Sequence, residues 1–475
     1  MAVPSVPTLA SQDDPPGKFR VGTLTYTLGG LIILFAYMML GDFAFAIRER
    51  CISDLFQVQL RKCAVSDFTF AILVSALPAL MTVLIVPAIS VMSDQYRSRL
   101  GRRIPFLIAS TPFVVLGVLG LAFAPWLAPS FAGLFGGGEK GHQWAVVNGL
   151  ALGWTLFEGG AIVTNVVFSA LVNDVVPAKV IGRFYGMFRV FSLLAGILFN
   201  YYLFQYAEEH SFLMFVGVAV IYSLGFGILC WKVKEGNYPA PPQQDKTLRF
   251  SQKAGNYTQI CVSHRFYVLL IVAFSLAQLA AIPINAFSLK SAQAFGLDDS
   301  GYGMARAITY TVSLVLAYPL GWLTDLWHPI RTSLWATILY GAGMLLGGLM
   351  IHSPTTFQFF FILHGVLSGV YFTTVLPLFP RLLPREQFSQ MNSAALVFSM
   401  ILVILVSMSL GQVLDLLHHD YRMTFYISAG IAFSAVMVWI YLYRMFNKLG
   451  GIKAYVPPSV ESGSLQTDGA LATKI

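Results

Sequence analysis

The chain has 475 residues, of which 56% are hydrophobic and only 11% are charged, and its mean hydropathy is +0.69. Soluble domains carry about 25% charged residues, so this composition excludes an ordinary soluble protein and indicates a helical membrane protein. The net charge of +8 does not indicate a nucleic-acid partner, because the basic residues lie in short segments between apolar runs.

The N-terminal segment shows no pattern of a cleavable signal sequence. Residues 1–20 contain Pro, Ser and Asp without an apolar core, and the first apolar run is too long for a signal peptide. We therefore expect insertion through an uncleaved first helix that follows a cytosolic tail over residues 1–22.

Twelve apolar runs are long enough to cross the hydrocarbon layer, which takes about 20 apolar residues per helix. Helices are expected because backbone polar groups in lipid must bond within their own segment. The predicted spans are residues 23–47, 67–92, 104–126, 146–171, 184–206, 212–232, 266–289, 304–324, 333–351, 356–379, 390–414 and 423–444.

One long polar interval divides the spans six and six, and it predicts a cytosolic linker over residues 233–264. The N-terminal six-helix half then covers residues 23–232, and the C-terminal half covers residues 265–446. A cytosolic tail follows over residues 447–475. Most of the 30 Lys and Arg residues fall on the side of the tails and the linker, which predicts that both termini are cytosolic.

An internal repeat supports two related halves. Residues 171–192 align with residues 378–399 at an offset of 207, and both copies connect the fourth and fifth spans of their half. Parallel repeats of this kind predict a pseudo-two-fold axis along the membrane normal.

The segment between the second and third spans has an ordered pattern of charge. Residues 93–106 contain one acid, four arginines and a glycine in the pattern SD-x3-SR-x-GRR-x-PF. A short basic loop between spans is expected to face the cytosol. The pattern resembles the loop between the second and third helices of major facilitator transporters, and its GRR-x-PF ending resembles the glycoside and sucrose branch.

This resemblance implies an all-α integral membrane protein with the major facilitator fold, with twelve transmembrane helices in two pseudo-symmetric six-helix halves. It also implies a cytosolic gate that holds one conformation of a carrier without touching substrate, and a bacterial-type inner (plasma) membrane location. The alternative is a loop that only anchors topology. The predicted gate residues, of which the last two resemble a DVVP…GR stretch of the same branch, are Asp94, Arg99, Gly101, Arg102, Arg103, Asp174 and Arg183.

Polar side chains inside the spans are expensive to bury in lipid, so they indicate candidate transport residues. Glu158 and Asn165 in span 4 are seven residues apart and share one helix face, as do His364 and Tyr371 in span 10.

Span 7 has the same spacing between Gln278 and Asn285, and Pro283 between them is expected to break the helix. Carboxylate, amide and ring groups suit sugar hydroxyls, and aromatic faces suit a pyranose ring. Helix–helix hydrogen bonding is the alternative role for each polar residue. The predicted substrate-binding residues are Asn165, Gln278, Asn285, His364, Tyr371, Tyr37 and Trp154.

Proton coupling is predicted to use Glu158, Arg189 and Asp42. A carboxylate in a poorly hydrated cavity can bind and release a proton near neutral pH, and Glu158 is the first candidate. Arg189 is expected to pair with Glu158 or Asp174. Asp42, in the outer half of span 1, is also a candidate for an external gate, with a salt-bridged helix end as the alternative.

The resemblance bears on the coupling ion as well. Melibiose permeases and plant sucrose carriers also place an acid in the fourth helix, which Glu158 matches by position only. Span 2 of this chain contains no acid from Phe68 to Met92, which favours protons over sodium.

Cys51 and Cys63 fall in the predicted first external loop, where the alternatives are a disulfide and two free thiols. The Cys and His spacings resemble no metal site, and the sequence contains no Walker A pattern and no nucleophile motif. We therefore expect no metal, no cofactor and no enzymatic activity.

The resemblance implies a secondary active transporter, and most specifically proton-coupled uptake of a sugar or glycoside by alternating access. One alternative is an exporter or a carrier of a non-sugar solute such as an amino acid or drug. Another is a non-transporting membrane sensor, although such sensors usually add a sizeable soluble domain. The expected partners are a small-molecule sugar and the lipid bilayer, without nucleic acid, and the protein is expected to be monomeric.

Overall fold

The structure, a computed structural model, describes residues 18–237, 264–384 and 388–458. Most of the predicted linker and most of the predicted N- and C-terminal tails lie outside the described residues.

The described residues divide into two compact units. The first unit holds residues 18–237 and 297–314, and the second holds residues 264–296, 315–384 and 388–458. One helix, Asp299–Trp327, therefore contributes its first half to the first unit and its second half to the second.

The first unit begins with a β-hairpin and continues with helices. Strand β1 (Lys18–Val21) pairs antiparallel with β2 (Leu24–Thr27), and Gly22 turns the chain between them at a φ of 56°. Residues 24–27 were predicted as helix, but β2 ends at Thr27, whose side chain caps the first helix by accepting from the Gly30 N–H. The helices are α1 (Leu28–Lys62), α2 (Asp67–Ala71), α3 (Leu77–Gln95), α4 (Ile104–Phe131), α5 (Gly138–Val175), α6 (Ala178–Leu198) and α7 (Ala207–Lys232).

Every regular element among the described residues of the second unit is a helix. Its core contains large side chains with no exposed surface, among them Tyr267, Trp439 and Phe446. The helices are α8 (Arg265–Leu279), α9 (Ile282–Ala294), the second half of α10 (Asp299–Trp327), α11 (Pro329–Met350), α12 (Pro354–Val375), α13 (Leu378–Leu382), α14 (Phe388–Leu416), α15 (Arg422–Lys448) and α16 (Gly451–Ala454).

Eleven helical segments among the described residues are long and apolar enough to cross a membrane. The count differs from the twelve predicted spans because Lys179–Lys232 is one segment of 54 residues that contains both span 5 and span 6. A π turn at Phe199–Leu203 and a 3-10 turn at Phe204–Tyr206 join α6 to α7 without a loop.

Helix α1 does not end at residue 47, as predicted, but continues to Lys62. The extension carries polar side chains that resemble a loop in sequence. They are nevertheless buried, since Arg48, Asp54 and Gln57 are 5%, 3% and 4% exposed. The same turns bury Ile52, Leu55 and Phe56 completely, and this apolar burial stabilises the extension.

Of the two alternatives for Cys51 and Cys63, a disulfide or two free thiols, the structure has two free and buried thiols. Cys51 lies inside α1 and Cys63 follows its last residue. Twelve residues of α-helix extend about 18 Å, whereas a disulfide requires Cα atoms closer than about 7 Å.

The predicted break in span 7 is present. Helix α8 ends at Leu279 and α9 begins at Ile282, with Pro283 in the first turn of α9. Proline is tolerated there because the first-turn N–H groups have no partner within the helix.

Glycines allow α4 and α5 to approach closely. A Cβ atom added at Gly117 would lie 2.3 Å from the backbone nitrogen of Phe157, and one added at Gly153 would lie 2.9 Å from that of Leu121. This contact fixes the position of α5, the helix that carries Glu158.

We expect Gly117→Ala to lower the free energy of unfolding by about 1–3 kcal/mol, because the added methyl group overpacks the contact. Gly217→Ala in α7 is the matched control, since nothing lies within 4 Å of its added Cβ. Thermal unfolding of the two purified variants in detergent measures the difference. Equal melting temperatures would show that α4 and α5 are not packed as described.

Candidate functional site

The loop between α3 and α4 forms a charged cluster with the end of α5. Arg102 binds the Asp174 carboxylate through two bonds, Nε to Oδ2 at 3.0 Å and a terminal nitrogen to Oδ1 at 2.6 Å. Arg103 donates to the same Oδ2 at 3.0 Å and to Ser93 Oγ at 2.6 Å, and it also pairs with Asp94. We call these five residues the arginine cluster.

Glu235, just after α7, holds the loop that carries the arginine cluster. Its carboxylate accepts backbone N–H groups of Arg102, Arg103 and Ile104 at 3.0, 2.8 and 2.7 Å. These donors lie at the N-terminus of α4, where no partner exists within the helix. Gly101 has a φ of 108°, and a Cβ atom there would lie 2.5 Å from the Glu235 carboxyl carbon, so the close approach requires glycine.

The structure brings together most of the predicted gate residues but not all. Ion pairs join Asp94 to Arg103 and Asp174 to both Arg102 and Arg103, and Gly101 lies against Glu235. The others, Arg99 and Arg183, are exposed and form no hydrogen bond or ion pair in the described part of the chain. Glu235 was missed, although an acid directly after the sixth span was visible in the sequence.

Glu235→Ala is expected to destabilise the protein by about 1–3 kcal/mol, because it leaves three N–H groups without their acceptor. Glu209→Ala is the control, since that carboxylate is 78% exposed. Thermal unfolding of both variants tests the prediction, and a Glu235→Ala melting temperature equal to that of the control would contradict it.

The second unit contains a counterpart of this cluster in which an arginine replaces one of the acids. Arg381 pairs with Asp325, which follows Thr324 as Asp94 follows Ser93. At the repeat offset of 207, Arg381 occupies the position that corresponds to Asp174.

His328 lies beside this pair, between α10 and α11. Its Nδ1 accepts from the Ile330 N–H at 3.4 Å, and its ring centre lies 4.9 Å from that of Phe446. Burial, together with the positive charges of Arg381 and Arg331, lowers the pKa of His328 from 6.5 to about 4.

We expect the protein to lose stability as the pH falls from 6.5 towards 4. Over this range the unfolded chain binds a proton at His328 that the folded chain does not bind. His328→Asn, which keeps an acceptor and tolerates the left-handed φ of 76°, should flatten the dependence of melting temperature on pH. The same substitution at the exposed His352 should leave the slope unchanged, and identical slopes for the two variants would refute the assignment.

The predicted proton-coupling carboxylates lie on α1 and α5. Glu158 forms no hydrogen bond with any described residue and lies within electrostatic range of the Arg48 guanidinium. Arg48 packs on the rings of Phe45 and Phe157, 4.5 and 5.7 Å from their centres. Asp42 is 6% exposed, and its Oδ2 has no hydrogen-bond partner in the described structure.

The predicted pairing of Arg189 with Glu158 or Asp174 is not formed. Asp174 is held by Arg102 and Arg103. The side chain of Arg189 is exposed instead and lies within electrostatic range of Glu49 and Arg50 on α1.

The predicted sugar-stacking role of Trp154 is contradicted by its burial. Its side chain is 2% exposed, its Nε1 donates to the Leu73 carbonyl at 2.8 Å, and its ring stacks on Phe56 at 4.1 Å. Asn165 is exposed on α5 and Tyr37 is half-buried on α1, so both have accessible surface.

Three of the predicted polar residues in the second unit lie near the break between α8 and α9. His364, 1% exposed, contacts Asn285 Oδ1 through Nε2 at 3.1 Å and the Tyr340 hydroxyl through Nδ1 at 2.9 Å. The Tyr371 hydroxyl donates to the Phe274 carbonyl at 3.2 Å, which is a contact between helices. A small cavity between these helices is lined by Ala277, Ala281, Thr337, Tyr340, Ser368, Tyr371 and Phe372.

Gln278 and Asn285 do not share the face of one continuous helix, because the break between α8 and α9 separates them. Gln278 is half-buried and Asn285 is exposed.

Two ion pairs within the first unit were not predicted. Asp54 of α1 pairs with Arg306 of α10 at 3.1 Å, and Arg61 binds Asp299 through bonds of 2.6 and 2.8 Å. Arg306 also donates to the Tyr310 hydroxyl at 2.8 Å. The signal in the sequence is the same pattern on both helices, an Asp followed seven residues later by an Arg, which places opposite charges side by side when the helices run antiparallel.

Comparison with known proteins gives the fold. A sequence model of the Major Facilitator Superfamily matches residues 269–462. A D-xylose–proton symporter superposes with a TM-score of 0.61 at 11% identity, over 87% of this chain and 96% of that chain. The chain has the major facilitator fold.

Other transporters with the major facilitator fold match over similar lengths. A nucleoside transporter has a TM-score of 0.61 at 9% identity, over 86% of this chain and 99% of that one. A bacterial homologue of the iron transporter ferroportin has a TM-score of 0.60 at 15% identity, over 88% and 99%. No curated protein sequence matches the chain. The predicted fold class is confirmed, and the protein is an integral membrane protein.

Proposed function

We propose that the protein is a secondary active transporter of the major facilitator type that takes up a sugar or glycoside together with protons. The observation that carries the proposal is a carboxylate without a hydrogen-bond partner among the described residues, Glu158, within electrostatic range of the Arg48 guanidinium in membrane-spanning helices of this fold. Residues of this kind within spans commonly mark ion pathways and proton relays.

The proton binds the Glu158 carboxylate in this proposal. While Glu158 is ionised, it attracts Arg48, whose guanidinium is held in place by two aromatic rings. Protonation removes that attraction and frees Arg48 from its electrostatic partner. The buried Asp42 Oδ2, on the same helix as Arg48, is the second proton site.

Each unit contains polar groups that suit the binding of a hydroxyl-rich substrate. Asn165 in the first unit and Gln278 in the second have accessible amide groups. His364 and Asn285 hold each other in a fixed orientation near the break between α8 and α9. Amide and imidazole groups both donate and accept hydrogen bonds, which sugar hydroxyls require. Likeness to the D-xylose–proton symporter agrees with this substrate class.

The arginine cluster acts as the cytosolic gate in this proposal, with Glu235 holding the loop on the N-terminus of α4. We place the protein as a monomer in a plasma (inner) membrane, with both termini cytosolic. Export, or transport of a non-sugar solute such as the nucleosides named for one relative, is the competing function.

We expect Glu158→Gln to abolish proton-driven accumulation of substrate while keeping substrate binding and exchange, since an amide cannot carry the proton. The measurement is uptake of radiolabelled mono- and disaccharides into proteoliposomes, with and without an imposed proton gradient. Glu139→Gln is the control, because it removes an exposed carboxylate from the same helix.

Accumulation by Glu158→Gln equal to that of wild type would remove Glu158 from the coupling step. A folded wild-type protein that neither binds nor accumulates any saccharide in the panel would overturn the sugar assignment.

A further inference from the structure

Two arginine side chains of the first unit converge without enough acid to neutralise them. Arg50 on α1 donates to Ser192 Oγ of α6 at 3.3 Å, and its buried Nε has no hydrogen-bond partner. Arg189 lies three residues before Ser192, on the same face of α6. Its exposed guanidinium has neither a hydrogen bond nor an ion pair among the residues that the structure describes.

Neighbouring charges do not balance this pair. Glu49 is the acid within electrostatic range of both arginines, and it is exposed. Asp54 is engaged by Arg306, whose own positive charge also acts on Arg50. Asp54 also acts on Arg50, so the three guanidinium groups of Arg50, Arg189 and Arg306 face only two carboxylates, those of Glu49 and Asp54.

An aromatic hydroxyl completes the site. The Tyr310 ring centre lies 5.0 Å from the Arg50 guanidinium carbon, and its hydroxyl accepts from Arg306 at 2.8 Å. That hydroxyl keeps its own hydrogen to donate. A Cβ atom at Gly196 would lie 2.9 Å from the Tyr310 ring, so glycine at this position lets the ring pack directly on α6.

We propose that Arg50 and Arg189 bind a carboxylate or phosphate group of the transported solute, with Ser192 and Tyr310 as further hydrogen-bonding groups. The paired N–H donors of a guanidinium group fit two oxygens of a planar carboxylate or of a tetrahedral phosphate. The inference rests on the proposed transport function and narrows its substrate class to acidic sugars, such as uronic acids and sugar phosphates.

The test compares matched ligands on the purified full chain. Thermal stabilisation and isothermal titration are measured with D-glucose, D-glucuronate and D-glucose 6-phosphate at constant ionic strength. We expect one of the acidic sugars to bind at least about tenfold more tightly than glucose, and Arg189→Gln to abolish that preference. Arg189→Lys should restore part of it, because the positive charge is retained without the fork of donors.

Lys179→Gln is the control, since it removes an exposed positive charge from the same helix outside the site. Unchanged melting temperature of ligand-free Arg189→Gln shows that the variant is folded. Arg50→Gln provides a second variant with the same expected loss of preference.

Equal affinity for glucose and both acidic sugars, unaffected by Arg189→Gln, would overturn the anion site and leave the proposed sugar transport intact. Binding of acidic sugars that Lys179→Gln weakens as much as Arg189→Gln would likewise refute it. A third arm reconstitutes the protein in nanodiscs with and without phosphatidylglycerol. Stabilisation by that lipid through Arg189, with no effect of the soluble anions, would assign the arginines to a lipid headgroup and overturn the substrate role.

Discussion

A charge placed inside a membrane-spanning helix needs an opposite charge or hydrogen-bonding partners nearby, because hydrocarbon supplies neither. This constraint explains much of the first unit. Asp54 is held by Arg306, and Arg61 by Asp299. Glu158 and Arg189 have an opposite charge only within electrostatic range, and neither forms a hydrogen bond with a described residue. We propose that their remaining partners arrive during transport, a proton for Glu158 and a solute anion for Arg189.

The sequence was sufficient for the fold because hydropathy is a local signal, and each apolar run carries it independently of the others. The same locality explains why residues 48–62 were not predicted to be part of the first helix. Arg48 and Asp54 resemble loop residues until their partners are known, and the partner of Asp54 lies some 250 residues away in the chain, at Arg306. Glu235 was missed for the same reason, because its partners are backbone groups of a loop remote in sequence. Trp154 shows a different limit, since an aromatic residue in a span suits core packing and sugar stacking equally well.

The two units differ in the charge at equivalent positions of the repeat. Asp174 receives arginines in the first unit, whereas Arg381 at the equivalent position pairs with Asp325 in the second. Asp325 corresponds to Asp94, so one position keeps its negative charge and the other changes sign. Arg103 bridges Asp94 and Asp174 in the first unit, whereas Asp325 and Arg381 attract each other directly. The second unit therefore connects these two positions with one ion pair where the first unit uses two.

The ion pairs between α1 and α10 also set the register of the two helices. Asp54 and Arg61 are seven residues apart, as are Asp299 and Arg306, and the helices run in opposite directions. Sliding α10 by two turns in one direction would bring Asp54 beside Asp299, and sliding it in the other would bring Arg61 beside Arg306. Either slip replaces an attraction with a repulsion, so the pattern selects one alignment and penalises its nearest alternatives. Packing of apolar side chains alone, which repeats with nearly the same period, would not distinguish them.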